Sequence, residues 1–436
     1  MKTNPNQIGV YMTGILIIFV QYARSQALDS VLKGYPVKTE IPQLADYVQT
    51  ALANNPRIQS AFHQWRSETK RIAAARGLPD PQISFGYFLK NIETAVGPQE
   101  WKAGVMQKIP WPGKLLVQGD MQSLKADIAF QQLQQMVSDL IYQVQAVYLD
   151  GYFLEQSIAI TQENLTLVRQ WEQIVLTKYI SASAGHPDLI KTQIEAIKLQ
   201  DDLATLKSKR RPIREALRAL LNSDTLSAIV FPDFLPDPQI PWTKAQVRET
   251  VLNHNPGLRG KASAHRMAGK AVTRAKLNWL PDFSVGADYI STGNRVMGGN
   301  PVPGSGKDPL VVMGSISVPL WGIKQAGQVR AAREAELQAE SAVRDTRNRL
   351  KARFESAWFE YEDAGRKFRL YHNRLLAKSL ESLNATQKAY IGAELDFLSL
   401  VDAQRRHLDF TLAAEKAKVD YYKSAAELQK LAGRSL

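Results

Sequence analysis

The chain has 436 residues, of which 44% are apolar, and this amount of apolar material excludes a chain that is disordered throughout. Its formal net charge of +13 is spread along helix faces among acids, which favours solvated helix surface over a nucleic-acid patch. The absence of cysteine excludes disulfides, thiolate metal sites and a lipid-modified N-terminal cysteine.

The N-terminal segment has the layout of a secretory signal peptide. Lys2 precedes an apolar run from Ile8 to Val20, and a small-x-small pattern ends at Ala27. The run is shorter than the roughly 18 residues that a membrane-spanning helix needs. We therefore expect residues 1–27 to direct export, with cleavage after Ala27, and residues 28–43 to form an extended N-terminal segment.

An internal duplication is visible in two similar stretches, LPDPQISFGY at 78–87 and LPDFSVGADY at 280–289. Each stretch follows an Ala-rich helical segment that has Asn-Pro near its start. Beyond each LPD, apolar and polar residues alternate with a period of two, and a turn-rich interval separates two such runs. Each half of the chain is therefore predicted to contain one β-hairpin.

Each half then continues with a very long helix, a short turn and a helix that runs back. Apolar residues at spacings of three and four form a seam along both long helices, which is typical of helices that pack along their whole length. In the second long helix the seam shifts by one residue between Leu375 and Leu376. Pro212 predicts a kink or break in the first returning helix, because proline lacks the N–H that a helix interior needs.

The two repeats have matching boundaries. The first repeat, 44–222, is predicted to contain a helix, the hairpin at about 81–111, the long helix over 114–179 and the returning helix over 188–222. The second repeat, 243–436, is predicted to contain a helix, the hairpin at about 283–320, the long helix over 323–390 and the returning helix over 396–433. Between them, the proline-rich segment 223–242 is predicted to be an irregular equatorial connector.

The predicted strands have one apolar face and one face of small and polar residues. Four strands cannot close a barrel alone, whereas the strands of several copies together can. An apolar outside around a polar inside is the arrangement of a barrel in a membrane. Four tryptophans lie at or near strand ends, where they fit either a membrane interface or simple packing at strand–helix junctions: Trp101, Trp111, Trp279 and Trp321.

The duplicated halves, the paired LPD stretches and the P-x-x-G returns in IPWPGK and VPLWGIK resemble the outer-membrane efflux proteins of the TolC family, from about Leu44 to Gly433. The resemblance implies an α+β membrane protein, a homotrimer whose long α-helical tunnel crosses the periplasm. The tunnel would join a shared transmembrane β-barrel in the Gram-negative outer membrane, with four strands per protomer. The implied function is the passive exit channel of a tripartite efflux pump, which is served by a periplasmic adaptor and by a proton-driven inner-membrane transporter.

The resemblance also implies a gate at the periplasmic end of the tunnel. Asp402 matches the second acid of an acidic D-x-x-D stretch, Ser399 replaces the first acid, and Lys191 takes the equivalent place in the first half. Tyr390 matches a tyrosine that latches the closed entrance. An ordinary solvated carboxylate is the alternative for Asp402. The expected adaptor-contacting tip residues are Tyr179, Gly185, Asp188, Gly392 and Asp396.

Catalytic and cofactor motifs are missing from the sequence. It has no P-loop, no G-x-G-x-x-G after a strand, no H-E-x-x-H and no G-x-S-x-G, and no two histidines are three or four residues apart. We therefore expect no enzyme activity, no cofactor and no metal. A periplasmic coiled-coil adaptor or scaffold without a membrane barrel is the alternative function, since it would explain the long helices equally well.

Overall fold

The computed structural model describes residues 41–223, 229–238, 242–392, 394–434 and 436. The predicted signal peptide and most of the predicted extended segment lie outside these residues. Two compact units are present. The helical unit consists of the described residues up to Phe62 together with 132–256 and 347–436, and the sheet unit consists of 63–131 and 257–346. Each unit takes segments from both predicted repeats.

Helices account for most of the described chain. In chain order they are α1 Pro42–Asn54, α2 Pro56–Arg76, α3 Pro112–Ile180, α4 His186–Ser208, α5 Arg210–Leu221, α6 Lys244–His254, α7 Pro256–Leu277, α8 Ile323–Leu370, α9 Leu376–Ile391 and α10 Phe397–Ala432. The strands are β1 Gln82–Thr94, β2 Gly97–Ile109, β3 Asp282–Thr292, β4 Val296–Met297, β5 Asn300–Pro301 and β6 Leu310–Ser317. No helix within the described ranges combines the length and the apolarity needed to cross a membrane.

The sheet unit contains a four-stranded antiparallel sheet in the order β1-β2-β3-β6, and β4 and β5 form a small separate hairpin in the β3–β6 loop. Its register joins the two predicted hairpins through β2 and β3. Ile83 lies opposite Val105, Val105 opposite Ala287, and Ala287 opposite Val312. Because side chains alternate along a strand, these residues share one face, and that face is apolar across all four strands.

Proline explains two helix boundaries. Pro42 begins α1, because its fixed φ and missing N–H suit the first turn, so the predicted extended segment 28–43 is wrong at its last two residues. The returning helix predicted over 188–222, with a kink or break at Pro212, is divided at Lys209 into α4 and α5. Pro212 then lies in the first turn of α5, where no intrahelical bond needs its N–H.

The predicted second long helix is interrupted by a π-helical turn, Tyr371–Leu375, between α8 and α9. A π turn takes one residue more than an α turn, so every side chain beyond it is displaced by one position relative to the α-helical pattern. The one-residue shift of the apolar seam between Leu375 and Leu376 therefore has its structural cause in this turn.

The core of the helical unit follows the apolar seams. A cluster of buried side chains joins α3, α4, α9 and α10, and it includes Leu165, Trp171, Leu199, Leu383, Phe397 and Leu400. A second group, of aromatic rings, lies between α8 and α10, where Tyr361 and Tyr421 are 5.2 Å apart between ring centroids. The first cluster packs the ends of α3, α4, α9 and α10 against one another.

Candidate functional site

The ends of α3 and α9 are joined by Lys178 and Tyr390. The Lys178 ammonium donates a hydrogen bond of 2.9 Å to the main-chain carbonyl of Tyr390 and lies 4.3 Å from the centre of its ring. A cation near the C-terminus of a helix is favourable, because the last carbonyls carry partial negative charge. The Tyr390 ring packs edge-on against Phe397, the first residue of α10, at 5.6 Å. One tyrosine therefore contacts both neighbouring elements.

The Tyr390 hydroxyl contributes little to this arrangement. It is buried and has no hydrogen-bond partner among the described residues. Burial, with a further contribution from the Asp188 carboxylate, raises the pKa of Tyr390 and keeps the phenol neutral. The contact between the helix ends thus depends on the ring and the main-chain carbonyl.

The other predicted gate residues each have a partner within four residues along the chain. The Ser399 N–H and hydroxyl donate to Asp396 Oδ1 at 3.0 and 2.6 Å, and these bonds lower the pKa of Asp396, the N-cap of α10. Lys191 Nζ lies 3.9 Å from Asp188 Oδ1. The structure does not bring Asp402 to Tyr390 or Lys191. Asp402 is exposed and pairs with Arg406 one turn later, at 2.9 Å.

An ion pair between a buried glutamate of α4 and a half-exposed arginine of α10 was not predicted from the sequence. The Glu195 side chain is only 3% exposed, and its Oε2 accepts a hydrogen bond of 3.1 Å from Arg405 Nε and a second from Arg405 Nη2. The hydrogen bond with Glu195 raises the pKa of Arg405. The available signal was a glutamate beside the apolar seam of α4, between Thr192 and Leu199.

The charge around these helix ends is balanced. Eight charged side chains here take part in hydrogen bonds or ion pairs, and they are the basic Lys178, Lys191, Arg405 and Arg406 and the acidic Asp188, Glu195, Asp396 and Asp402. Lys388 and Glu394 add one further charge of each sign. The site therefore differs from a strongly acidic constriction.

The predicted tip glycines are not required by the backbone. Gly185 and Gly392 cap α4 and α9 with φ of −82° and −71°, values that any residue adopts. The Tyr179 ring is 5.5 Å from the His186 ring. Four large apolar side chains nearby are exposed: Ile180, Ile391, Leu395 and Leu398. Exposed apolar groups at one place are typical of a surface that contacts another protein.

In the sheet unit, the predicted tryptophans occupy two levels. Trp101 lies in β2 near the hairpin turn, 5.9 Å from the Phe85 ring and 5.6 Å from the Tyr289 ring. Trp111, Trp279 and Trp321 lie where the strands meet the helices. Gly322 permits close approach of the Trp279 ring, since a Cβ there would lie 2.9 Å from it.

Comparison with known proteins identifies the architecture. The outer membrane protein VceC of Vibrio cholerae matches with a TM-score of 0.74 and 14% identity, over 90% of this chain and 96% of VceC. The open-state MtrE outer membrane channel of Neisseria gonorrhoeae matches with a TM-score of 0.71 and 18% identity, over 92% of this chain and 94% of MtrE. This chain has the fold of the TolC-family outer-membrane channels.

The TolC-type fold confirms the fold expected from the duplicated LPD stretches. In sequence, the similarity is weaker. No family model matches the chain. Toxin and drug export protein A of Aggregatibacter actinomycetemcomitans is 23% identical over 188 residues, which is 43% of this chain and 38% of that protein. The alignment with this curated relative thus spans less than half of either protein.

Proposed function

We propose that this protein is the exit channel of a tripartite efflux system and acts as a homotrimer in the Gram-negative outer membrane. Its conduction would be passive, since cargo would be delivered by a periplasmic adaptor and a proton-driven inner-membrane transporter. The observation that carries the proposal is the apolar face shared by β1, β2, β3 and β6, in a chain with the TolC-type channel fold.

The sheet supports a shared barrel. Its outer strands, β1 and β6, each have one edge without a strand partner among the described residues. The apolar face is exposed in the single chain, with Val312 at 75% and Ile83 at 84%. Exposed edges and apolar faces favour association with further strands and with lipid. Three copies would contribute their four strands each to one closed barrel, in which the two levels of aromatic rings would lie at the two membrane interfaces.

The ends of α3, α4, α9 and α10 are the proposed gate and adaptor-binding tip. Lys178 and Tyr390 would hold the gate shut, because their contact joins two helix ends that would have to separate on opening. Asp402, Ser399 and Lys191 would line the constriction. The balanced charge of this region supports weak ion selectivity, in contrast to a constriction lined by unpaired carboxylates.

The fold also supports a channel over the alternative of a periplasmic adaptor or scaffold. The two structural neighbours named above are described as outer-membrane proteins, and one of them as a channel. The relative from Aggregatibacter actinomycetemcomitans is named as a toxin and drug export protein, and we extend an export role of this general kind to the present chain.

The proposal is tested by fractionation, by mass and by conductance. We expect the protein in the outer-membrane fraction, as a trimer in mild detergent by light scattering, with discrete conductance steps in planar bilayers. Deletion of its gene should sensitise cells to exported toxic compounds, and the wild-type gene should restore resistance. Recovery of the chain as a monomer in the soluble periplasm would refute the channel function and favour the adaptor.

A further inference from the structure

The duplication places the same strand-to-helix turn in the chain twice. The Lys114 N–H donates to the Trp111 carbonyl at 2.8 Å, and the Lys324 N–H donates to the Trp321 carbonyl at 3.4 Å. Both turns have the pattern Trp-x-x-Lys, and each follows the second strand of its hairpin. Lys114 and Lys324 therefore hold equivalent places in the two repeats.

The LPD stretches give the matching acids. The helix before each stretch ends in the same way, with hydrogen bonds of 3.2 Å from Gly77 N to Ala74 O and from Trp279 N to Lys276 O. Asp80 comes three residues after Gly77, and Asp282 three residues after Trp279. The two aspartates are thus also equivalent.

We call the pairing of such a lysine with such an aspartate a Lys–Asp junction, and one of the two junctions forms within the chain. Lys114 Nζ lies 2.7 Å from Asp282 Oδ1 and donates to the Leu280 carbonyl at 2.9 Å. The Trp111 N–H donates to the same carboxylate at 3.2 Å. The Lys114 and Asp282 side chains are only 14% and 21% exposed, so the pair is largely shielded from water. Such shielding strengthens a charge-assisted hydrogen bond.

The equivalent second junction is open. Asp80 and Lys324 are both exposed, and neither side chain has an ion pair or hydrogen bond to any described residue. Trp321 is 83% exposed, whereas its counterpart Trp111 packs against Phe283 at 6.2 Å between ring centroids. The chain therefore has an acid at one sheet edge, beside β1, and a lysine at the opposite edge, beside β6.

The internal joint between β2 and β3 predicts how the two open edges would pair. Gln82 and Ser284 are equivalent, because each comes two residues after the aspartate of its LPD stretch. Gln82 lies opposite Met106 in the first hairpin and Ser284 lies opposite Ser315 in the second, so Met106 in β2 corresponds to Ser315 in β6. The internal pair Lys108–Ser284 then corresponds to Ser317 of one copy and Gln82 of the next. In this register Ile316 lies opposite Ile83, so apolar side chains share one face. A shift by one residue would place apolar side chains opposite polar ones.

We propose that a second copy of this chain completes the open junction. Strand β6 of one copy pairs antiparallel with β1 of the next, with Ser317 opposite Gln82, and Lys324 of the first copy forms an ion pair with Asp80 of the second. The inference rests on the proposed trimeric channel and assigns its subunit contact. An interface that joins two different surfaces can repeat around an axis, and it forms a ring when the rotation closes, as in the proposed trimer. Asp282 also has Lys108 at 3.6 Å, whereas Ser317 takes the place of Lys108 between copies, so the intersubunit pair has one lysine fewer.

The strand register is tested by cross-linking the full chain, which contains no cysteine of its own. The variant Q82C/S317C should form disulfide-linked dimers and trimers after mild oxidation, because facing side chains lie within disulfide reach. The matched control K108C/S284C should cross-link within one chain and keep the monomer mass. The variant S84C/S317C, whose register is displaced by two residues on the same face, should form multimers far more slowly. Equal cross-linking of the two intersubunit pairs would overturn the register.

The ion pair is tested by charge exchange. D80K and K324D should each weaken trimer association roughly ten-fold or more per interface, and D80K/K324D should recover most of the loss, because the exchanged charges again attract. Trimer fraction in detergent, measured by light scattering over a dilution series, gives the result. A double variant no better than either single variant would overturn the ion pair, while a wild-type trimer would leave the proposed channel intact. A monomeric wild-type chain would overturn both.

Discussion

Replacing Lys178 by methionine should loosen the ends of α3 and α9. Methionine keeps an unbranched apolar stem but removes the ammonium, and with it the 2.9 Å hydrogen bond to the Tyr390 carbonyl and the contact with the ring. A hydrogen bond from a charged donor contributes about 1.5–3 kcal/mol, and a partly exposed cation–π contact about 0.5–1 kcal/mol. The entropy of an ordered lysine offsets up to about 2 kcal/mol of this gain. We therefore expect a net loss of about 2 kcal/mol.

Amide hydrogen exchange measures this loss directly. A decrease of about 2 kcal/mol in the free energy of local opening corresponds to roughly 30-fold faster exchange in peptides that cover Leu383–Ile391. Lys198→Met, at an exposed position on α4, is the matched control and should leave exchange unchanged. Tyr390→Phe should also have little effect, because its hydroxyl has no partner among the described residues. Exchange in Lys178→Met that stays within about three-fold of the wild-type rate would refute this account of the contact.

Three further predictions concern the buried acid, a histidine and the sheet. Glu195→Gln should lower the free energy of unfolding by about 1–2 kcal/mol, because the variant loses the charged hydrogen bonds to Arg405. Asp402→Asn, which removes a charge from an exposed pair, should change this free energy by less than about 0.5 kcal/mol. Chemical denaturation measures both values. Burial lowers the pKa of His407 in the folded chain, so the unfolded chain binds this proton at a higher pH than the folded chain does. Stability should therefore fall as the pH drops below about 6.5, the ordinary pKa of histidine. His407→Gln should reduce this pH dependence in thermal unfolding scans. Val312→Lys should make the free energy of folding into lipid vesicles less favourable by about 2–4 kcal/mol, whereas Met313→Lys, on the opposite face of β6, should be tolerated. Equal yields of the two folded variants would exclude a lipid-facing role for Val312.

Some departures from regular structure were readable in the sequence, because they change a periodic pattern. The one-residue shift of the seam at Leu375–Leu376 corresponds to the π turn at Tyr371–Leu375. Pro212 predicted a break in the first returning helix, and the chain breaks at Lys209. In both cases the cause is local, since the backbone of a few residues determines the helix path.

The contacts at the helix ends were not readable in this way. Lys178 and Tyr390 are 212 residues apart, and Arg405 and Glu195 are 210 residues apart. Neither residue type nor spacing indicates which of the many lysines or glutamates will meet across such distances. Asp402 differs from these residues, because its partner Arg406 lies only one turn away on the same helix. Its match to the acidic stretch of the TolC family predicted a gate residue.

The sequence by itself determined the duplication, the alternation of the strands and the long helical seams, because these follow from periodicities of two and of 3.6 residues along the chain. Tertiary structure alone decided which copy of the Lys–Asp junction is filled. Strand order places Lys114 beside Asp282 and leaves Asp80 and Lys324 at opposite edges of the sheet. That choice depends on which strands become neighbours, and the LPD and Trp-x-x-Lys patterns do not settle it because both repeats contain them.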